Sequence, residues 1–300
     1  MSGTALIGLD WGTTSARAYR IDASGAVTHE RSAPLGILQV RDRTFAPALA
    51  GLLGDWSELH VPRLACGMIG SRQGWIEAPY CDTPASLDAL GAGITMVPRE
   101  DLGIVPGVRT RDADGMPDLM RGEETQILGA VDAHAARVYA VLPGTHSKWA
   151  RVEHGRLAAF MTFMTGEIYA ALIEHTIIGR MAETRPQTAF DAANFERGVA
   201  RGSSGGSLLH DAFGARTLAL LGELPGRGVA DWLSGLLIGS EIAAARRFAP
   251  DMRSVTIIAN AELTRRYATA CAQARVDPVM APAHAAARGL WRLAKHTGRI

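Results

Sequence analysis

The chain has 300 residues, of which 47% are hydrophobic and 20% charged, and 31 basic and 30 acidic residues give a formal net charge of +1. This composition excludes an intrinsically disordered chain, and the small net charge provides no general field for a nucleic-acid backbone or an anionic membrane. The length suits one large domain or two of moderate size.

Further features of the sequence indicate in which cellular compartment the protein is found. The chain begins with an apolar run at residues 5–9 and shows neither the basic segment nor the long hydrophobic region of a signal peptide. The chain has three cysteines, Cys66, Cys81 and Cys271, without CxxC spacing. Such cysteines are typical of a protein in a reducing compartment. No uncharged apolar stretch reaches the roughly 18 residues of a membrane span. We therefore expect a cytoplasmic protein that binds neither nucleic acid nor membranes.

The first predicted element is a meander of three strands. An apolar run at residues 5–9 ends at Asp10, and strands are predicted at residues 15–21 and 26–32. The turn between the first two strands carries glycine and threonine, and the second turn has the Asp-x-Ser-Gly chemistry of a tight reversal.

A second meander follows later in the chain. A helix at residues 43–56, a strand at 62–68 and a helix at 123–136 come first, and strands are then predicted at 138–142, 147–153 and 156–163. The first turn of this second meander, Gly144-Thr145-His146-Ser147, aligns without gaps with Gly12-Thr13-Thr14-Ser15. Repeated units of this kind indicate a duplicated architecture.

The remaining pattern alternates between helices and short strands. Helices are predicted at residues 166–178, 232–248, 262–275 and 283–295, with further helices around a loop at 201–207 and a strand at 254–259. Together with the meanders, this predicts a two-domain α/β fold in which mixed sheets are flanked by helices. We expect domains at residues 1–135 and 136–300, with a ligand cleft between them.

The two Gly-Thr turns have the chemistry of phosphate sites. Backbone N–H groups and hydroxyls gathered at a turn bind phosphate oxygens. Asp10 follows the first strand, where a carboxylate could hold Mg²⁺ against the phosphates, and Lys148 follows the second turn, where it could neutralise transferring charge. The chain has no GxxxxGK[ST] motif, so the sequence does not predict a P-loop.

These turns carry a family resemblance. Residues 9–15 (LDWGTTS) resemble the first phosphate motif of the actin/hexokinase/Hsp70-type ATPase superfamily, and the Gly144 turn resembles the second. Six further segments resemble the 2-dehydro-3-deoxygalactonokinase family: residues 67–75 (GMIGSRQGW), 120–126 (MRGEETQ), 142–149 (LPGTHSKW), 163–167 (FMTGE), 216–222 and 234–239. The resemblance covers nearly the whole chain.

The resemblance implies a fold and an activity. It implies a duplicated actin-like ATPase fold and transfer of the γ-phosphoryl group of ATP, with Mg²⁺, to the terminal hydroxyl of 2-dehydro-3-deoxy-D-galactonate. The phosphates would be held by Gly12, Thr13, Thr14, Ser15, Gly144, Thr145, His146 and Ser147, with Asp10 near the metal and Lys148 beside the transferred group. Asn260 and Ala261 stand at the adenosine segment, where related kinases tend to have Gly-Ser-Pro.

The resemblance also places the base and the sugar-acid site. Glu123 stands where related sugar kinases carry a catalytic aspartate, and Asp118 and Glu124 are the alternatives. A planar guanidinium suits a substrate carboxylate. The candidates for the sugar acid are Ser71, Arg72, Gln73 and Arg121.

Other functions remain open at this point. One is a kinase for a different sugar acid or a ketose, and another is a non-catalytic sensor of sugar acid or nucleotide on the same fold. A phosphohydrolase that turns over ATP without a sugar is the third. The sequence leaves open whether the protein is a monomer or a homodimer.

Overall fold

The computed structural model describes residues 3–183 and 190–300. The strands in these ranges are β1 (Thr4–Trp11), β2 (Ala16–Asp22), β3 (Val27–Ala33), β4 (Arg63–Cys66), β5 (Tyr80–Asp82), β6 (Thr95–Met96), β7 (Gly103–Ile104), β8 (Gly107–Arg111), β9 (Pro117–Met120), β10 (Arg137–Leu142), β11 (Ser147–Glu153), β12 (Arg156–Phe163), β13 (Ser254–Ile257) and β14 (Asp277–Met280). The α-helices are α1 (Phe45–Leu53), α2 (Leu87–Ala92), α3 (Glu123–Ala130), α4 (Thr165–His175), α5 (Ala192–Ser203), α6 (Leu208–Leu220), α7 (Val229–Phe248), α8 (Ala261–Gln273) and α9 (Ala285–His296).

The two larger sheets share the same order over five strands. One runs β3-β2-β1-β4-β7-β6 and the other β12-β11-β10-β13-β14. In both, the first strand of a meander pairs in parallel with a later strand, β1 with β4 and β10 with β13, and a further parallel strand follows. This repeat confirms the duplicated architecture predicted from the two Gly-Thr turns. A third sheet has the order β5-β8-β9.

The chain forms two compact units, each built from separate segments. The first comprises Met1–Val138, Ala150–Phe160 and Ala281–Ile300, and the second comprises Tyr139–Trp149 and Met161–Met280. The last helix, α9, therefore belongs to the same unit as the first meander. The division into domains at residues 1–135 and 136–300 stays a prediction.

In the first unit, helices cover both faces of the six-stranded sheet. β1 is a nearly continuous apolar run, as expected of a strand that is buried on both sides. On one face α9 packs on β1, and a Cβ at Gly8 would lie 3.1 Å from the Leu290 side chain. On the other face Phe45 of α1 meets the Trp11 ring edge-on, with centroids 6.1 Å apart.

In the second unit, α5 and α7 pack backbone to backbone through glycines. A Cβ at Gly198 or Gly235 would overlap a carbonyl oxygen of the opposite helix, and Gly202 lies equally close to Leu236. Since α5 continues to Ser203, the predicted loop at 201–207 is wrong for its first three residues. None of the helices described is both long enough and apolar enough to cross a bilayer.

Candidate active site

The first Gly-Thr turn joins β1 to β2 and is braced by the segment that follows β3. Gly12 N–H donates to the Ser15 carbonyl at 2.9 Å, which closes the turn. Ile37 N–H donates to the Gly12 carbonyl at 3.0 Å. The side chains of Thr13, Thr14 and Ser15 remain exposed. The turn therefore has a fixed backbone and three accessible hydroxyls, as a phosphate site requires.

The second turn is braced by the first turn of α4. Glu167 N–H donates to the Thr145 carbonyl at 3.0 Å, and a Cβ at Gly166 would overlap the Gly144 carbonyl. The Glu167 carboxylate also meets His146 Nε2 at 2.6 Å. Thr145 and His146 are exposed. This turn also combines a fixed backbone with accessible polar groups.

The residues after the second turn are buried. The Ser147 hydroxyl lies 2.9 Å from the Tyr267 hydroxyl, and Lys148 Nζ donates to Thr162 Oγ1 at 2.7 Å. Ser147 is fully buried and Lys148 is 6% exposed. The roles predicted for these two side chains in phosphate binding and charge neutralisation stay predictions.

Acidic residues gather where β1 and α3 meet. Burial and the nearby charge of Glu123 raise the pKa of Asp10 to about 6, while Arg17 opposes the shift. Glu123 is half-buried and its Oε2 accepts from Arg121 N–H at 2.9 Å. Glu124 is fully buried and accepts from Gly122 N–H at 2.6 Å and Thr125 Oγ1–H at 2.8 Å. Of the two adjacent glutamates, only Glu123 is accessible to a substrate.

Two glycines with positive φ allow these segments to meet. Gly67 follows β4 with φ +99°, and Gly122 precedes α3 with φ +107°. A Cβ at Gly122 would lie 2.8 Å from Gly67 Cα, and one at Gly67 would lie 2.6 Å from the Trp11 carbonyl oxygen. Only glycine combines this backbone conformation with such close approach. The ends of β1 and β4 and the start of α3 thereby form one site.

The buried Glu124 predicts a pH dependence of stability. Burial first, and the Glu123 charge second, raise its pKa from 4.5 to about 7. The folded chain then binds a proton that the unfolded chain has released, so the free energy of unfolding falls as pH rises from about 4.5 to 7. Glu124→Gln removes this contribution, and its amide can still accept from Gly122 N–H and donate to the Thr125 hydroxyl.

We expect wild type to lose roughly 2 kcal/mol more stability than Glu124→Gln between about pH 5 and pH 8. Urea unfolding at several pH values measures the difference. Asp10 titrates in both proteins, so the comparison isolates Glu124. Parallel stability profiles for the two proteins would contradict the prediction.

The predicted sugar-acid residues lie on and beside the loop after β4. Arg72 and Gln73 are exposed, whereas Ser71 is 8% exposed and its hydroxyl has no partner among the described residues. Arg121 is 7% exposed. Its Nη2 donates to the Ala78 carbonyl at 2.8 Å, and its guanidinium stacks on the Tyr80 ring at 4.2 Å. Arg72 is therefore the more accessible of the two candidate arginines.

Arg43 supports this loop and was not predicted. Its guanidinium donates to the Gly74 carbonyl at 2.6 Å and to the Trp75 and Arg72 carbonyls at 3.3 and 3.4 Å. Three carbonyls of the 72–75 segment thus converge on one cation. No local pattern indicates this contact, because it joins residues about 30 positions apart in the chain.

The second unit contains a cavity of about 290 Å³ beside the second turn. Its walls come from the turn, from α4, from α7 and from α8, and its lining residues include Gly144, Thr165, Tyr169, Ser234, Asn260, Glu262, Arg266 and Tyr267. Asn260 caps α8 by accepting from Leu263 N–H at 3.0 Å, and Ala261 is the first residue of the helix. The predicted adenosine segment therefore lies at this cavity.

A buried carboxylate on one wall of the cavity accepts hydrogen bonds from residues of two other walls. Glu241 of α7 is 3% exposed and accepts from Trp149 Nε1–H at 2.6 Å, Tyr267 O–H at 2.9 Å and Thr165 Oγ1–H. Burial raises the pKa of Glu241, and these donors oppose the shift. Glu241, Glu262 and Arg266 are not predicted from the sequence. For Glu241 the one available signal is an acid that interrupts the apolar stretch at residues 229–245.

Comparison with known proteins identifies relatives along almost the whole chain. The family model of 2-keto-3-deoxy-galactonokinase matches residues 10–293. The 2-dehydro-3-deoxygalactonokinase of Escherichia coli K12 is 35% identical over 261 residues, which cover 87% of each chain. A solved structure of a candidate 2-dehydro-3-deoxygalactonokinase from Sinorhizobium meliloti superposes with a TM-score of 0.89 at 35% identity, covering 97% of this chain and 98% of the other.

A more distant structure supports the fold alone. A xylulose kinase from Lactobacillus acidophilus has a TM-score of 0.52 at 10% identity and covers 97% of this chain and 89% of its own. The predicted α/β fold of the actin-like kinases is therefore confirmed. With the matched family and the close relative, these findings show that the chain belongs to the 2-keto-3-deoxy-galactonokinase family.

Proposed function

We propose that this protein transfers the γ-phosphoryl group of ATP to the terminal hydroxyl of 2-dehydro-3-deoxygalactonate, as a step in galactonate breakdown. The observation that carries the proposal is the pair of braced Gly-Thr turns, one of which adjoins the carboxylates of Asp10 and Glu123. The names of the relatives support the choice of substrate. The cytoplasmic location and the oligomeric state stay predictions.

The first step is nucleotide binding. The hydroxyls of Thr13, Thr14 and Ser15 and the polar groups of Thr145 and His146 donate to phosphate oxygens. The 290 Å³ cavity beside the second turn receives the adenosine, since it has both aromatic and charged walls. Arg266 is the charged residue of this wall; it is held by Asp231 at 2.7 Å, and its guanidinium lies over the Phe190 ring at 4.8 Å.

The residues around Asp10 fit a magnesium ion. Burial raises the pKa of Asp10, and Glu123 lies near enough for its charge to raise that pKa further, so a cation there would relieve the repulsion between the two carboxylates. Mg²⁺ typically takes one or two protein carboxylates and completes its shell with phosphate oxygens and water. Asp10 would hold the ion, which when bound neutralises phosphate charge.

Glu123 then serves as the base. It accepts the proton of the terminal hydroxyl as the hydroxyl oxygen attacks phosphorus, and the bond to the leaving ADP oxygen breaks. Glu123 is only half-buried, which supports this role over the fully buried Glu124, whose two oxygens accept hydrogen bonds inside the protein. Its backbone contact to Arg121 N–H orients the carboxylate. Asp118 lies on β9, where its Oδ1 accepts from Leu119 N–H.

Arg72 recognises the substrate carboxylate. It is exposed, and the Arg43 guanidinium fixes the backbone of the loop that carries it. Gln73 and Ser71 on the same loop are available for the hydroxyls of the sugar acid. This arrangement favours acids over neutral ketoses, because a guanidinium facing a neutral sugar gains no charged partner.

The test is release of ADP from Mg-ATP with a panel of 2-keto-3-deoxy sugar acids and neutral ketoses. We expect 2-dehydro-3-deoxygalactonate to give the highest kcat/KM. Arg72→Ala should raise the KM for the sugar acid at least about tenfold and leave the KM for ATP unchanged. Arg72→Lys should recover part of the loss, since it restores charge without the bidentate geometry.

Arg253→Ala is the matched control because it removes an exposed arginine of the second unit. If Arg72→Ala behaved like that control, the carboxylate site would lie elsewhere. Turnover driven best by a ketose would favour the alternative kinase, and ADP release without any sugar would favour a hydrolase. If neither sugar acid nor ketose increased ADP release, the kinase proposal would fail.

A further inference from the structure

Glu262 is an acidic residue in the wall of the cavity beside the second turn. It is the second residue of α8, and its side chain is 66% exposed. The helix dipole favours a glutamate in this first turn, but the dipole does not determine where the carboxylate points. The contact with Arg266, one helical turn further along α8, restrains its direction.

Arg266 is a rigid partner for this carboxylate. Its Nη2 lies 2.7 Å from Asp231 Oδ1, and its guanidinium carbon lies 4.8 Å from the centroid of the Phe190 ring. Its Nε and Nη2 both donate to Glu262 Oε1 at 3.3 Å. Because the guanidinium is held by the carboxylate of Asp231 and by an aromatic ring, it restrains one oxygen of Glu262.

The other carboxylate oxygen of Glu262 is available to a ligand. Oε2 makes no hydrogen bond to any of the described residues. Burial is the main cause of the raised pKa of Tyr169, Arg266 opposes it, and the charges of Asp231 and Glu262 raise the pKa further. Tyr169 belongs to α4 and lines the same cavity. The charge of Glu262 therefore acts on the opposite wall of the cavity.

A carboxylate at this place selects which part of a nucleotide can lie beside it. It repels phosphate oxygens and accepts hydrogen bonds from O–H and N–H groups. The nucleoside carries such donors on the ribose and on the 6-amino group of adenine. Gly144 of the second turn lines the same cavity. Phosphates at that turn and a nucleoside donor at Glu262 define one orientation of the nucleotide.

We propose that Glu262 is a specificity-determining residue that accepts a hydrogen bond from an O–H or N–H donor of the nucleoside. It thereby orients the nucleotide with its phosphates toward the second turn. The inference rests on the proposed function, because it takes this cavity as the nucleoside site. It does not involve the sugar-acid site.

The experiment measures the affinity for Mg-ATP by calorimetry, together with the affinities for three analogues that each lack one donor. These are 2′-deoxy-ATP, 3′-deoxy-ATP and purine riboside triphosphate, which has no 6-amino group. We expect wild type to bind at least one analogue about tenfold more weakly than ATP, as loss of a charge-assisted hydrogen bond would cause. The analogue that is discriminated against identifies whether the donor is on the ribose or on the base.

Glu262→Ala should bind ATP about tenfold more weakly than wild type and should bind ATP and that analogue equally. A merely structural role of Glu262 would instead weaken ATP and the analogue by the same factor, which leaves the discrimination unchanged. Glu262→Gln should keep part of the discrimination, since its amide oxygen is a neutral acceptor.

Glu196→Ala is the matched control, because it removes an exposed glutamate from α5 of the same unit, whereas the cavity walls come from the turn, α4, α7 and α8. It should bind ATP and the analogues like wild type, and equal thermal midpoints should show that all variants fold. Equal affinities of wild type for ATP and all three analogues, or unchanged discrimination in Glu262→Ala, would overturn the proposal. If wild type bound Mg-ATP but failed to phosphorylate any sugar acid, only the proposed function would fall. If wild type did not bind Mg-ATP, both would.

Discussion

Glu123→Gln is expected to reduce kcat by about 10²- to 10⁴-fold, which is the usual contribution of a positioned general base. The KM values for ATP and the sugar acid should change little, because the amide keeps the size of the side chain and its contact to Arg121 N–H. The assay should be run at about pH 8, where the substitution does not change the ionisation of Asp10. Burial, with a smaller contribution from the charge of Glu123, raises the pKa of Asp10 to about 6, so at pH 8 Asp10 is ionised whether or not that charge is present.

Two controls separate Glu123 from the other acids. Glu124→Gln should retain most of the wild-type kcat, because the Glu124 carboxylate is fully buried and already accepts two hydrogen bonds. Asp118→Asn should also remain close to wild type, and Glu123→Asp should keep part of the activity with a shorter reach. Loss of kcat in Asp118→Asn with retention in Glu123→Gln would reassign the base to Asp118.

The parts of the site that could be predicted from the sequence are those formed by neighbouring residues. The two Gly-Thr turns depend on short-range chemistry, and the same local pattern predicts the strands on either side of them. The repeat of the turns was enough to predict duplication, which the matching strand orders confirm. The position of Asp10 at the end of a strand indicates a metal ligand, whereas Glu123 is a candidate base only through the family resemblance, and both roles stay predictions.

The parts that could not be predicted depend on contacts between distant segments. Arg43 reaches the 72–75 loop, and Glu241 joins Trp149, which is 92 residues away in the chain. Hydrophobic periodicity carries no information about such pairings. The loop expected at residues 201–207 illustrates the same point. Glycine and serine favour a loop locally, but Gly202 is needed within α5, where it contacts α7.

Gly235→Val is expected to prevent the second unit from folding, and Gly235→Ala to cost at least about 4 kcal/mol. Gly235 lies in α7 where a Cβ would overlap the Phe195 carbonyl of α5 and approach the Val199 nitrogen to 2.9 Å. Both neighbours are helix backbone, so neither can move aside as a side chain could. The two helices must therefore separate, which removes Phe195 and Val199 from a close-packed core.

The effect should extend from stability to nucleotide binding. α7 supplies Ser234, Leu237 and Ile238 to the cavity beside the second turn, and it carries Glu241 beneath that cavity. Separation of α5 from α7 shifts these walls, so any folded Gly235→Ala protein should bind Mg-ATP more weakly than wild type. Gly51→Ala is the control, since Gly51 is also helical, has no atom within 4 Å of a Cβ and should become about 0.5–1 kcal/mol more stable. Thermal unfolding and calorimetry of the three proteins measure both effects. A Gly235→Ala midpoint within a degree of wild type would show that the α5–α7 contact tolerates a side chain.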